Sequence, residues 1–268
     1  MTLSFAKYQG AGNDFVICDD RQGQLAPRLT TEAIARICDR RFGVGADGFM
    51  LLAAPSDGFA FTMDYYNSDG RRSTMCGNGG RCIVQFAADL GIRRSVYRFQ
   101  AIDGPHDAEI LLPGSVSLGM NDVKEITTRE NEFVLDTGSP HFVRFVPRLD
   151  SVDVVPEARG VRYAEPYAAA GINVNFVEDH GEYLRVATYE RGVEDETLAC
   201  GTGVTAAALA YRYRNHATAA DGPFRVAVRA KGGELEVSGT RSGDHFTDIR
   251  LVGPATFVFK GEIVFADA

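Results

Sequence analysis

No apolar run in this 268-residue chain approaches the roughly 20 residues that a membrane-spanning helix needs. No transmembrane segment is therefore expected. Positive charge is in deficit: 28 Lys and Arg stand against 36 Asp and Glu, a net charge of −8. That balance argues against a nucleic-acid groove and against binding to an anionic membrane surface. An anionic substrate has to be held by local donors rather than by the overall field. The opening Met1-Thr2-Leu3-Ser4-Phe5-Ala6-Lys7 lacks the basic-then-apolar layout of a secretory signal, so a cytoplasmic location is expected. The five cysteines are odd in number, thinly spread and without a C-x-x-C pair, which does not fit a disulfide framework. The five histidines include no His-x-x-x-His pair, so no metal site is legible. Cys76 and Cys82, six apart, would lie about 120° apart around a helix, poorly placed for shared ligation. The apolar content of 45% and charged content of 24% fit an ordinary globular protein of one large or two modest domains.

Against this background one motif occurs twice. Met75-Cys76-Gly77-Asn78-Gly79 opens one apolar segment and Ala199-Cys200-Gly201-Thr202-Gly203 another, 124 positions later (200 less 76). Helix-like runs follow, Ile83 to Leu90 and Val204 to Tyr211. A cysteine at the first turn of a helix lies among unpaired backbone N–H groups at the positive end of the dipole. That setting lowers a thiol pKa from about 8.5 into a range of about 3.5–7.5. The glycines let a carboxylate approach the backbone closely, and they equally suit a tight strand-to-helix turn. Cys18, Cys38 and Cys82 lie within apolar patterns and read as small buried hydrophobes.

Two further anchors repeat in the same order. Gly12-Asn13-Asp14-Phe15-Val16 is echoed by Gly138-Ser139-Pro140-His141-Phe142-Val143, offset about 126. Gly43 to Phe49 is echoed weakly by Ala170 to Phe176. Strand-like Phe61 to Asn67 and Tyr183 to Glu190 each precede a polar turn and then the cysteine. Ordered anchors at a near-constant long offset indicate two homologous halves rather than a solenoid. Each half reads as mostly strand with one long helix after its cysteine. Leu3 to Cys18, Phe133 to Val146, Phe224 to Val237 and His245 to Phe265 carry strand patterns. Thr30 to Arg41 reads as an amphipathic helix with Ile34 and Ile37 inward and Thr30 or Thr31 as cap. Gly91 and Gly222-Pro223 are expected to end the segments after the central helices. Pro113-Gly114 and the polar stretch Asn121 to Asn131 mark the expected boundary.

Inverting a stereocentre by proton transfer needs a base on one face and an acid on the other. Two symmetric thiols at two anion-binding helix ends supply both groups: one thiolate takes the α-proton, the other thiol returns one from behind.

The chain resembles the diaminopimelate epimerases, cofactor-independent two-cysteine enzymes. The resemblance rests on Gly10-Ala11-Gly12-Asn13-Asp14-Phe15, Tyr66-Asn67-Ser68-Asp69-Gly70, Met75 to Cys82, and Tyr189-Glu190-Arg191-Gly192 before Ala199 to Gly203. It implies two pseudo-symmetric α/β domains of the α+β type, each a mainly antiparallel sheet wrapped round a central helix, with the site in the interdomain cleft. Residues 1–118, completed by 253–268, would carry Cys76; residues 119–252 would carry Cys200. It further implies interconversion of LL- and meso-diaminopimelate, in lysine and cell-wall precursor biosynthesis, with no cofactor and no metal, by a cytoplasmic homodimer. Cys76 and Cys200 take the catalytic roles. Gly77, Asn78, Gly201 and Thr202 surround the substrate carboxylate. Asn13, Asn67, Asn173 and Arg191 hold the unreacting end, Glu190 the ammonium, and His141 assists. Gly48 and Ser139 depart from side-chain amides found in other members, and the Glu190-to-Cys200 stretch is one residue longer than in some.

Two alternatives share these residues, and a third, a catalytically dead binding protein of the same fold, is opposed by the intact pair of cysteines. A proline or hydroxyproline racemase of the same superfamily tends to have His at the position of Asn78 and has no need of the polar set at Asn13, Asn67, Asn173 and Arg191. A thiol-redox protein would join Cys76 and Cys200 in a reversible disulfide.

Overall fold

The computed structural model describes residues 2–112, 114–215 and 221–264. Pro113 of the expected boundary and Phe265 of the expected last strand lie outside the described residues. The chain divides into two compact units, Met1–Leu118 with Gly253–Ala268, and Gly119–Val252.

The first unit runs β1 (Thr2–Gly10), β2 (Asn13–Asp20), α1 (Thr31–Cys38), β3 (Gly48–Ala53), β4 (Phe61–Asn67), α2 (Gly77–Asp89), β5 (Tyr97–Ala101), β6 (Gly104–Leu112) and β7 (Ser115–Gly119). The second runs β8 (Thr127–Arg129), β9 (Glu132–Asp136), β10 (Pro140–Phe145), α3 (Val154–Arg162), β11 (Asn173–Asp179), β12 (Tyr183–Glu190), β13 (Asp195–Thr197), α4 (Gly201–Arg214), β14 (Gly222–Ala230), β15 (Gly233–Ser242) and β16 (His245–Pro254). The chain then returns to the first unit as β17 (Thr256–Val264).

Each unit repeats one pattern. In the first, β17, β1, β2, β3, β4, β5, β6 and β7 lie side by side, antiparallel except at β2/β3 and β4/β5. In the second, β8, β9, β10, β11, β12, β14, β15 and β16 do the same, parallel only at β10/β11 and β12/β14. Parallel neighbours need a crossover. In each unit the first crossover carries a peripheral helix, α1 or α3, and the second a central helix, α2 or α4.

The central helices are buried almost all round. α2 touches β1, β2, β3, β6 and β17; α4 touches β9, β10, β11, β12, β14 and β15. The run Thr205-Ala206-Ala207-Ala208-Leu209-Ala210 is wholly buried, as expected of a helix without a polar face. Its small side chains let the curved sheet close around it. Each large apolar side chain taken from water into such a core stabilises the fold by about 1.5–3 kcal/mol.

The differences from the sequence reading are local. Leu3 to Cys18 and Phe133 to Val146 are each two strands, broken at Ala11-Gly12 and at Thr137 to Ser139. Ala11 has φ 54 and Gly12 φ 84, which turn the chain back on itself. α1 is capped by the Thr30 hydroxyl, which accepts from Ala33 N, but it ends at Cys38 rather than Arg41. Gly91, at φ 88, follows α2 as expected, and Gly222 opens β14, residues 216–220 before it lying outside the described residues. The unit boundary is no such difference: it falls at Leu118/Gly119, as the resemblance implied, between the two expected boundary segments, and Asn121 to Asn131 contains β8. α3 is unforeseen in the sequence reading.

Candidate active site in two half-sites

Both cysteines are delivered in the same way. β4 ends at Asn67, turns, and returns through a bridge of Tyr66 with Arg72. β12 ends at Glu190, turns, and returns as β13, where Tyr189 pairs with Glu196. Each returning segment then leads into the central helix of its unit.

Cys76 is the N-cap of α2, in extended backbone at φ −90 and ψ 128. Cys200 is the N-cap of α4, at φ −108 and ψ 113. The reading that put both at the first helical turn is thus refined by one position. Gly80 N donates to Cys76 O at 2.7 Å, and Val204 N to Cys200 O at 2.8 Å, closing the first turns. Gly77, Asn78 and Gly79, like Gly201, Thr202 and Gly203, precede those bonds in the first turn, where backbone N–H groups face the helix N-terminus and suit an anion. Neither cysteine side chain caps its helix. An N-cap side chain is nonetheless the position from which a thiolate would accept those N–H groups.

Around Cys76 the sulfur lies 3.5 Å from Asn13 Oδ1 and donates to it as a thiol. Asn78 Nδ2 donates to the same oxygen at 3.4 Å. Asn13 Nδ2 donates to Asp47 Oδ2 at 2.7 Å, which fixes the amide's orientation. Asp47 belongs to a balanced cluster in which Arg40 bridges Asp14 and Asp47 and Lys7 reaches Asp14. Burial raises the Asp14 carboxyl pKa, but Arg40 and Lys7 together outweigh it and hold the group well below the usual carboxylate range. Asn13, expected at the unreacting end of a substrate, is placed beside the thiol. Asn67 lies at the exposed end of β4, level with Gly48 on β3. A Cβ on Gly48 would come within 2.6 Å of Tyr65 Cε2 and 3.0 Å of Tyr65 Oη. The Tyr65 ring thus fills the space a side chain at 48 would take, which explains the departure at that position.

Around Cys200 the sulfur lies 3.4 Å from Thr202 Oγ1, a hydroxyl able to donate or accept. Thr137 Oγ1 donates to Thr202 O at 2.9 Å and steadies the first turn. Beneath that turn is a buried polar chain. Thr188 Oγ1 donates to Asn175 Oδ1 at 2.9 Å, and Asn175 Nδ2 donates to His141 Nδ1 at 3.0 Å and to Phe142 O at 2.9 Å. Gly203 is required above it, because a Cβ there would run into Asn175 Oδ1 and meet Thr188 Oγ1 at 3.1 Å. With Nδ1 accepting, the neutral ring of His141 carries its proton on Nε2. That Nε2 is buried and has no partner among the described residues. Burial, together with the Arg191 charge, pushes the His141 pKa down to about 3 against the opposing bond from Asn175, so the ring is neutral at physiological pH.

Asn173 is level with His141 on the neighbouring strand. Its Nδ2 donates to Ser139 Oγ at 2.8 Å and Pro140 O at 3.1 Å, and its Oδ1 accepts from Arg191 N at 2.8 Å. Ser139, in place of an amide, therefore serves to hold Asn173. Arg191 Nη1 donates to Ala170 O at 3.2 Å. The acidic stretch after Glu190 is a closed hairpin: Glu194 Oε2 accepts from Tyr163 Oη at 2.8 Å and Tyr189 Oη at 3.0 Å.

The structure therefore gathers Asn13, Gly77 and Asn78 at Cys76. It gathers Gly201 and Thr202 at Cys200, and joins Asn173 to Arg191 beside His141 and Glu190. Asn175, Thr188 and Glu194 were missed in the sequence reading. A buried asparagine inside an apolar strand was the one available signal. Cys18, Cys38 and Cys82 are buried. Burial pushes Cys18 well above the usual thiol range and Cys38 and Cys82 up to about 12, so all three are neutral thiols. Among the described residues no three His, Cys, Asp or Glu side chains gather as metal ligands. Nor is any helix there long and apolar enough to cross a membrane.

The duplicated fold, with strands around a central helix in each unit, defines a class. The same fold occurs in a phenazine biosynthesis protein of the PhzF family from Bacillus anthracis, with a TM-score of 0.77 at 15% identity over 99% of this chain and 100% of that one. It also occurs in a hydroxyproline epimerase from Agrobacterium vitis, with a TM-score of 0.66 at 15% identity over 98% and 92%. Within that class, the diaminopimelate epimerase family model matches residues 5–124 and 133–258, one stretch for each half. A diaminopimelate epimerase from Flavobacterium psychrophilum is 47% identical over 262 residues, covering 97% of this chain and all of the relative. One from Chlorobaculum tepidum is 43% identical, covering 95% and 98%. The chain belongs to the diaminopimelate epimerase family.

Proposed function

We propose that this protein is an isomerase that interconverts LL- and meso-diaminopimelate by two-base proton transfer between Cys76 and Cys200. The observation that carries this is the matched placement of the two cysteines, each the N-cap of its unit's central helix and followed by Gly-x-Gly. One sulfur, as thiolate, takes the α-proton. The electron pair left on the α-carbon is delocalised into the adjacent carboxylate. The other sulfur, as thiol, delivers its proton to the opposite face, and the carboxylate charge returns to its starting value. The reaction moves protons only and needs no oxidant.

The developing charge on the carboxylate is what the first-turn N–H groups of Gly77, Asn78, Gly201 and Thr202 are suited to bind. His141 Nε2–H adds a buried donor at the Cys200 end. Glu190 binds the ammonium at the reacting carbon. Arg191, Asn67 and Asn173 bind the far amino-acid end, where the planar guanidinium matches a carboxylate. Asn13 is assigned to the reacting end, because its amide oxygen already meets Cys76 Sγ. The odd, thinly spread set of five cysteines fits a reducing cytoplasm.

Proton NMR in D₂O with LL-diaminopimelate, and with L-proline in parallel, tests this reading. Loss of the α-proton signal and appearance of the meso isomer are expected with diaminopimelate alone. Exchange with proline alone would assign the chain to the other substrate class.

We also infer a homodimer formed along β17. Among the described strands β17 pairs only with β1, and Phe257, Val258, Phe259 and Val264 on it are exposed. An apolar edge strand with unpaired backbone groups is a template for pairing. Sedimentation equilibrium should give twice the chain mass for the wild type and the chain mass for Val258→Asp. A monomeric wild type at micromolar concentration would remove the inference.

A further inference from the structure

Arg81, one turn into α2, is a charged side chain at 0% exposure. Among the described residues its hydrogen bonds all go to neutral oxygens. Nη1 donates to Gly77 O at 3.3 Å, Nη2 to Asn78 Oδ1 at 2.8 Å and Nε to Pro254 O at 3.3 Å. No carboxylate among the described residues forms an ion pair with it. A guanidinium cannot shed its charge, and a buried cation without a counter-charge is strongly disfavoured. Such a site calls for an anion.

The other half-site has no buried cation in its helix, and its guanidinium, Arg191, is exposed just past the end of β12. The residue at the same place in α4 is Thr205, whose hydroxyl donates to Gly201 O at 2.9 Å. Gly201 follows Cys200 as Gly77 follows Cys76. The same carbonyl is thus bound in both units, by a cation beside Cys76 and by a neutral hydroxyl beside Cys200.

We propose that Arg81 is the fixed counter-charge of the Cys76 thiolate, so that Cys76 ionises before Cys200 and is the base of the resting enzyme.

The surroundings of Cys76 leave Arg81 as the unbalanced charge. On β2 and the segment before β3, Asp14 and Asp47 are matched by Lys7 from β1 and by Arg40. Asp64 on β4 pairs with Arg72. Asp103 lies 3.3 Å from His106 and accepts from Met75 N. Cys82, on α2 itself, is kept neutral by burial. Burial opposes the charge on Arg81, while Cys82 and Cys76 favour it, so the guanidinium and the Cys76 sulfur act on each other. Ionisation costs the thiol its bond to Asn13 Oδ1, a weak one, since a thiol is a poor donor and the distance is 3.5 Å.

The proposal rests on the epimerase reading for the use made of the thiolate, but its test reads ionisation alone. The rate of alkylation by iodoacetamide is followed against pH, with Cys76 and Cys200 resolved by mass spectrometry. In the wild type the midpoint for Cys76 is expected below that for Cys200. Arg81→Met should slow Cys76 alkylation at pH 7 about tenfold, the equivalent of one pKa unit, and leave Cys200 unchanged. Arg81→Lys, which keeps the charge, should restore most of the rate. A Cys200 midpoint at or below that of Cys76 in the wild type would overturn the proposal without any variant. So would an unmoved Cys76 profile in folded Arg81→Met. A protein that alkylates as expected but exchanges no α-proton would retain the Arg81 assignment and lose the epimerase reading.

Discussion

Cys76→Ala and Cys200→Ala are each expected to lower epimerisation by about 10³-fold or more while leaving the fold intact. Positioned acid–base groups contribute about 10²–10⁴ each, and a two-base inversion fails when either is missing. Stability should hardly change, because neither side chain caps its helix. The backbone of each N-cap does the structural work, through Gly80 N to Cys76 O and Val204 N to Cys200 O, and alanine retains both bonds. Circular dichroism melts and initial rates on the two variants check this. More than about a tenth of wild-type turnover in either variant would be incompatible with an obligatory pair, given that scale for a lost acid or base.

Asn175→Leu should have the largest effect on stability of any single change near the site. Leucine matches asparagine in branching and number of side-chain heavy atoms, so the loss is chiefly polar, with some added bulk from the two methyls. Thr188 Oγ1, Phe142 O and His141 Nδ1 would all lose their partner. Each buried group left unsatisfied costs about 1–3 kcal/mol. A net loss of about 3–5 kcal/mol would lower the melting temperature by about 6–15 °C in a protein of this size. The His141 ring would also lose the bond that sets its tautomer, so kcat should fall in the fraction that remains folded. Calorimetry gives the first effect and turnover at low temperature the second. A melting temperature within about 2 °C of wild type would mean that the chain of bonds is not the foundation of α4's first turn, since roughly 1 kcal/mol is the most such a shift allows.

Much of the architecture was legible because its signals are local. β4 and β12 alternate apolar and polar residues and have the bounds read from the sequence, Phe61–Asn67 and Tyr183–Glu190. The N-terminus of each central helix is announced by Cys-Gly-x-Gly. α3 was hidden because Pro156 and Gly160 lie inside it, and both count against a helix by propensity. The N-terminal position of Pro156 is what makes the helix possible. The turn at Ala11 was missed because a non-glycine residue at positive φ leaves no trace in composition.

The site was legible where chemistry is unusual and illegible where it is borrowed from packing. Cys76 and Cys200 stand out by motif. Arg81 does not, since an arginine in a helix is ordinarily a surface residue, and only the sheet wrapped round α2 makes it a buried charge. Asn175 and Thr188 look like minor interruptions of strands until β11, β12 and α4 bring them under one turn. Ser139 illustrates the opposite case. Its loss of an amide is visible in the sequence, but its use in holding Asn173 depends on the meeting of β10 and β11.

The central claim is that two sulfurs, rather than one, handle the proton. The direct measurement is deuterium incorporation at early times, with LL-diaminopimelate in D₂O and mass spectrometric analysis of both isomers. With two bases, meso product should carry solvent deuterium at the inverted carbon from the first turnovers, while recovered LL substrate keeps its proton. Meso product that retains the substrate's own proton would show a single group acting on both faces and would contradict the account.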